Sequence, residues 1–156
     1  MLDLSIPGKG KVIIKKIVLD LNGTLTTDGE LAPETITILS EVSKILQVYI
    51  LTADTLGSAA GLKHDLKINI QVLEGANISV AKAEIVDSLG PETLIAVGNG
   101  NNDADMLKKA VVGIAVLGTE GCSVKALQNA DLLVKSIDDA LTMILKPQRL
   151  IAGLRC

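Results

Sequence analysis

Phenylalanine and tryptophan are absent from the chain, and Tyr49 is its only aromatic residue. Surfaces that stack nucleic-acid bases rely on aromatic platforms, so nucleic acid is not an expected partner. Clustered basic charge is missing as well. The formal net charge is -3 and the pI is about 5.1. The Lys-Lys pairs at 15–16 and 108–109 read as solvated positions, not as a track for a phosphate backbone. No apolar run reaches the roughly 18 residues that cross a bilayer. MLDLSIPGKG, at 1–10, lacks the charged start and long apolar stretch of a signal peptide. Two cysteines, Cys122 and Cys156, are too few for a disulfide framework and lack metal-ligand spacing. They read as one core-facing thiol and one terminal thiol. His64, the sole histidine, has no second His or Cys near it and is assigned no chemistry. These absences point to a cytoplasmic protein with no membrane partner.

What is present is aliphatic. Apolar residues make up 48% of the 156, enough to bury a sizeable core in one domain. LDLSI (2–6) and KVIIKKIVLD (11–20) flank the turn signal PGKG and predict an opening antiparallel hairpin. Strand-like and helix-like segments then alternate. Helical patterns cover 33–46, where Pro33 suits a first helical position, then 53–64, 78–90, 103–110, 122–130 and 137–145. Between them lie strand-like runs at 47–52, 68–74, 93–98, 112–116 and 131–135. Strands apolar on both faces and separated by helices predict a mainly parallel, doubly wound α/β sheet covered on both sides. One domain is expected over 1–156, with residues 1–15 as the hairpin and 147–156 as a tail.

In such sheets ligands sit beyond the carboxyl ends of the strands, near the point where strand order reverses. Asp20 closes one strand, and Gly23 and Thr24 follow in a tight loop whose backbone N–H groups can face an anion. A carboxylate there can attack a phosphoryl group; it can equally cap a turn. Thr52 ends a second strand, where a hydroxyl can donate to a phosphate oxygen. Lys82 falls in the first turns of the helix 78–90, either as a point cation for phosphate or as a solvated helix residue. GNGNNDADML, at 98–107, follows a third strand. Asn102 fits an N-cap and Asp103 the first turn of a helix. Asp20, Asn99 and Asp103 together make a hard oxygen set of the type that suits Mg²⁺ held with a phosphate.

DLNGTLT at 20–26, LTADT at 51–55, a lysine in AKAEIVDSLG at 81–90, and GNGNNDADML, in that order, resemble the haloacid dehalogenase (HAD) superfamily. Within it the closest likeness is to the phosphorylation domain of P-type ATPases, as a small soluble protein of that kind. The resemblance covers nearly the whole chain apart from the opening hairpin and the segment after about Lys146. It implies a capless HAD-type fold and a nucleophile at Asp20 that becomes aspartyl-phosphate. It also implies a Mg²⁺ site from Asp20, the Asn22 carbonyl, Asn99 and Asp103. Gly23, Thr24, Thr52, Lys82 and Asn102 would hold the phosphoryl group, and Asp54 would lie at the site edge.

Two positions depart from that pattern. Asn22 stands where HAD phosphatases carry an acid–base aspartate, a group typically worth about 10²–10⁴-fold. Asn99 stands where the family places a metal carboxylate, and an amide oxygen adds no charge. The expected function is therefore a Mg²⁺-dependent phosphohydrolase or phosphotransferase, slow on poor leaving groups. Its substrate would be a small phosphorylated compound, at an open site that a second copy of the chain could cover. The alternative is a phosphate- or metabolite-binding regulatory protein with little turnover. A receiver-like phosphoacceptor fits the glycine-threonine loop and GNGNND poorly.

Overall fold

The computed structural model describes residues 1–53 and 68–156. The helix expected over 53–64, with Asp54 and His64, falls almost wholly outside the described residues. Strands β1 (Leu2–Ile6) and β2 (Gly10–Ile14) form a two-stranded antiparallel sheet. Six more strands make a second sheet: β3 (Lys16–Asp20), β4 (Gln47–Thr52), β5 (Ile68–Val72), β6 (Leu94–Gly98), β7 (Val112–Val116) and β8 (Leu132–Val134). Their order is β5-β4-β3-β6-β7-β8, and every neighbouring pair is parallel.

The run 11–20, expected as one strand, is two. Lys15 leaves both ladders: its N–H donates to the Thr93 carbonyl at 2.8 Å and its own carbonyl accepts from Gln47 N–H at 3.0 Å. The chain thereby changes partners, from β1 before Lys15 to β4 and β6 after it.

Alternation along the central strands explains their unbroken apolar character. Ile17, Leu19, Ile95 and Val97 pack into one aliphatic cluster, and Val18, Leu94 and Ala96 into another on the opposite face. Helices α1 (Pro33–Ser43), α5 (Ile137–Leu145) and α6 (Pro147–Leu154) contribute to the first cluster. Helices α2 (Ile78–Leu89), α3 (Ala104–Lys109) and α4 (Val124–Gln128) contribute to the second.

Residues 147–156, expected as a tail, contain α6. Pro147 starts it, and Leu150 and Leu154, one turn apart, are buried in the cluster that holds Leu2, Leu4 and Ile6. No helix among the described residues is long and apolar enough to cross a membrane.

Strand order reverses between β3 and β6. From β3 the sheet runs through β4 to β5 on one side, and from β6 through β7 to β8 on the other. The crevice at this reversal opens at the carboxyl ends of β3 and β6, where Asp20 and Gly98 lie.

Candidate active site

Asp20 ends β3 and is buried. The chain turns at once: Leu25 and Thr26 N–H both donate to the Leu21 carbonyl at 2.9 Å, and the Thr26 hydroxyl donates to the same oxygen at 3.1 Å. Gly23 makes the turn possible with φ of 76°. A β-carbon there would also lie 2.8 Å from Asn99 Nδ2 and 3.0 Å from Glu120 Oε2, so side chains from two other loops close in on this glycine. Thr24, buried, donates its hydroxyl to Asn99 Oδ1 at 3.0 Å.

Lys82 is not the solvated residue its position on α2 allowed. It is fully buried, and its Nζ lies 2.5 Å from Asp20 Oδ1 and 2.6 Å from Asp103 Oδ1. A buried ammonium is tolerated only when its charge is balanced and its donors are met. Burial pushes the Lys82 amine down, but Asp20 and Asp103 outweigh it and hold the group above its ordinary range. Burial, reinforced by the Asp103 charge, raises the Asp20 carboxyl to about 6 in spite of Lys82 and Thr24. Asp20 is therefore mostly ionised at neutral pH but carries an unusual cost for being so.

Asp103 serves the loop after β6. Its Oδ2 accepts from Asn99 N–H at 3.0 Å and Gly100 N–H at 2.8 Å. Gly98 permits this approach, since a β-carbon there would sit 2.6 Å from that of Asp103. The helix cap differs from expectation: Gly100 precedes a 3-10 turn over Asn101–Asp103, and Asn102 lies exposed within it.

The structure thus brings together Asp20, Gly23, Thr24, Lys82, Asn99 and Asp103. Thr52 is buried at the end of β4, one residue past the Asp20–Leu51 pairing. Asn22 is exposed at the mouth. Asp54 lies outside the described residues. Glu120, absent from the sequence expectations, sits in the loop after β7 with its Oε1 accepting from Asp28 N–H at 2.8 Å. Reading the end of β7 as a fourth strand end was the signal available for it.

Among the described residues no three acidic, His or Cys side chains converge as a metal cluster. The oxygen donors are nevertheless the hard type that suits Mg²⁺ alongside a phosphate: the Asp20 carboxylate, the Asn22 carbonyl and Asn99 Oδ1. Both Asp103 oxygens are engaged, one by Lys82 and the other by two backbone N–H groups, and through them it holds Lys82 and the loop after β6 in place. Two buried carboxylates and one ammonium leave a net charge of about -1, which a divalent cation would turn to about +1, a sign that suits an incoming phosphate.

No protein-family model matches the chain. An uncharacterized protein of Methanocaldococcus jannaschii is 44% identical over 80 residues, 49% of this chain and 86% of that one. Among solved structures, the 3-deoxy-D-manno-octulosonate 8-phosphate phosphatase of Moraxella catarrhalis, in complex with magnesium, phosphate and KDO, matches with a TM-score of 0.68 and 18% identity. The match covers 90% of each chain. The cobalt-bound deoxy-D-mannose-octulosonate 8-phosphate phosphatase of Haemophilus influenzae matches with a TM-score of 0.71 and 16% identity, over 87% of this chain and 90% of that one. A zinc-transporting PIB-type ATPase is 27% identical with a TM-score of 0.62, over 79% of this chain but 20% of the pump.

Proposed function

We propose that this chain, a HAD-like protein, is a divalent-metal-dependent phosphohydrolase or phosphotransferase that works through an aspartyl-phosphate on Asp20. The observation that carries the reading is the ion-paired set of Asp20, Lys82 and Asp103 at the reversal of strand order, beside a glycine-threonine loop. Phosphatases with magnesium or cobalt bound share the fold.

In this mechanism an oxygen of ionised Asp20 attacks phosphorus, a P–O bond to the leaving group breaks, and the leaving oxygen takes its proton from solvent. Thr24 and Thr52 hydroxyls and backbone N–H groups of the Gly23 loop hold the phosphoryl oxygens. Lys82 balances their charge, kept in place by Asp103. Water then attacks the acyl phosphate and regenerates the carboxylate. Asp20, the Asn22 carbonyl and Asn99 Oδ1 would hold Mg²⁺, whose Lewis acidity would neutralise charge on the phosphoryl group. Asn22 has no proton to give, so good leaving groups react best and the acyl phosphate persists.

The two amides also motivate a second reading, a phosphate-binding protein with little turnover. One assay separates them: hydrolysis of p-nitrophenyl phosphate with Mg²⁺ by wild type, Asp20→Asn and Asn22→Asp. Phosphoryl transfer requires turnover by wild type, loss in Asp20→Asn and acceleration in Asn22→Asp. Inert wild type and inert Asn22→Asp, with phosphate still bound, would leave only the binding reading.

A further inference from the structure

The candidate cation site is short of charge, because residue 99 supplies an amide. A carboxylate nevertheless stands beside that amide. The position that a Gly23 β-carbon would occupy is 3.3 Å from Asn99 Oδ1, 2.8 Å from Asn99 Nδ2 and 3.0 Å from Glu120 Oε2. Glu120 is exposed and is held by one hydrogen bond. Its Oε1 accepts from Asp28 N–H, on the turn that follows the Gly23 loop, at 2.8 Å. The Asn99 amide is held from both ends, with Thr24 donating to its Oδ1 and its Nδ2 donating to the Gly121 carbonyl, each at 3.0 Å. The Glu120 loop therefore touches the Asn99 side chain through the Gly121 carbonyl, and Glu120 Oε2 and the Asn99 amide both border the space above the Gly23 α-carbon.

We infer that Glu120 supplies the negative charge that Asn99 lacks, and so sets the divalent-cation affinity of the site. The inference rests on the phosphoryl-transfer reading of that site. An aspartate at 99 and a glutamate at 120 would repel each other across Gly23. An amide at 99 removes that repulsion and still offers an oxygen. Glu120 does not form a three-acid cluster with Asp20 and Asp103. It acts as a positioning residue through its field on the cation, not as a replacement ligand.

The test uses the full chain and Mn²⁺ alone, with free Mn²⁺ counted by electron paramagnetic resonance. Glu120→Gln keeps the side-chain oxygen that accepts from Asp28 N–H, so a merely structural glutamate would leave affinity unchanged. The expected result is a loss of about 10-fold, the Coulomb scale for one solvated carboxylate several ångströms from a divalent cation. Asn99→Asp should restore affinity in the Glu120→Gln background, and should tighten binding less in wild type, where the two carboxylates repel. Wild-type affinity in Glu120→Gln together with lost affinity in Asp20→Asn overturns this inference and leaves phosphoryl transfer standing. No Mn²⁺ binding by wild type, or affinity unchanged in Asp20→Asn as well, overturns both. Should Glu120→Gln fail to fold, the wild type decides. Substoichiometric Mn²⁺ must broaden the Glu120 carboxyl carbon signal well before that of Glu92, and equal broadening overturns the inference.

Discussion

Ile17, Val18 and Leu19 of β3 are fully buried among aliphatic neighbours, whereas the next residue, Asp20, is nearly as deeply buried among charges. The contrast extends to whole regions. Where β1, β2 and α6 meet, Leu4, Ile6, Ile14, Leu150 and Leu154 contribute burial and nothing directional. At the carboxyl ends of β3 and β6, each buried polar group has a particular partner: Lys82 with two carboxylates, Asp103 with two backbone N–H groups, Thr24 with Asn99. Apolar packing tolerates substitution of similar volume. A buried ionic network does not tolerate the loss of one member. The first region stabilises the fold without directional contacts, and the second is a buried ionic constellation that is costly to assemble.

The largest expected effect breaks the network at its centre. Lys82→Met leaves two buried carboxylates without their cation, and urea denaturation should show a loss of about 3–5 kcal/mol. Leu4→Met, equally buried but in the apolar region, should cost less than about 1.5 kcal/mol in the same experiment. Comparable losses would erase the distinction between the two regions.

The next prediction concerns pH. The Asp20 carboxyl is raised from 3.8 to about 6, with burial as the leading cause. Near pH 4 and below, its neutral form adds its full contribution to stability. As pH rises towards 6, the unfolded chain ionises while the folded chain holds its proton, and that contribution is lost. Without divalent metal, wild type should lose on the order of 3 kcal/mol relative to Asp20→Asn between about pH 4 and pH 7. Parallel stability curves for the two chains would contradict the burial assigned to Asp20.

Smaller effects sharpen the contrast. Gly23→Ala meets both a left-handed φ and the crowding from Asn99 and Glu120, and should lower stability by about 1–3 kcal/mol in thermal unfolding. Ser123 caps α4 by accepting from Ala126 N–H at 2.9 Å, and Ser123→Ala should cost about 1 kcal/mol by the same measurement.

Much of the fold was legible because the sheet is aliphatic on both faces and the turns are marked. The strands expected at 47–52 and 112–116 match β4 and β7, and the four ordered motifs pointed to a fold shared with a structure described as a HAD superfamily hydrolase from Legionella pneumophila. The misses have physical causes. The resemblance put Lys82 at the site, but its helix position alone left a solvated reading open, because the anions that permit its burial lie 62 and 21 residues away in sequence. The change of partners at Lys15 is marked only by the Lys15-Lys16 pair inside an otherwise apolar run, and two solvated lysines do not by themselves show where one ladder ends and the next begins. The α6 helix has only two core-facing leucines in eight residues, a weak period in sequence that its packing on β1 makes stable. Glu120 carries no motif; its one sequence signal is a place just past the end of β7, and its neighbours emerge when the loops after β3, β6 and β7 are brought together.

The central claim is that Asp20 accepts a phosphoryl group, and chemical detection on that side chain tests it most directly. The chain would be mixed with Mg²⁺ and a small acyl phosphate, quenched in acid, and its peptides analysed by mass spectrometry before and after hydroxylamine. The account predicts a hydroxylamine-labile phosphoryl group on the peptide containing Asp20, absent from Asp20→Asn. Turnover with no phosphoryl group on that peptide, or labelling that survives Asp20→Asn, would contradict it.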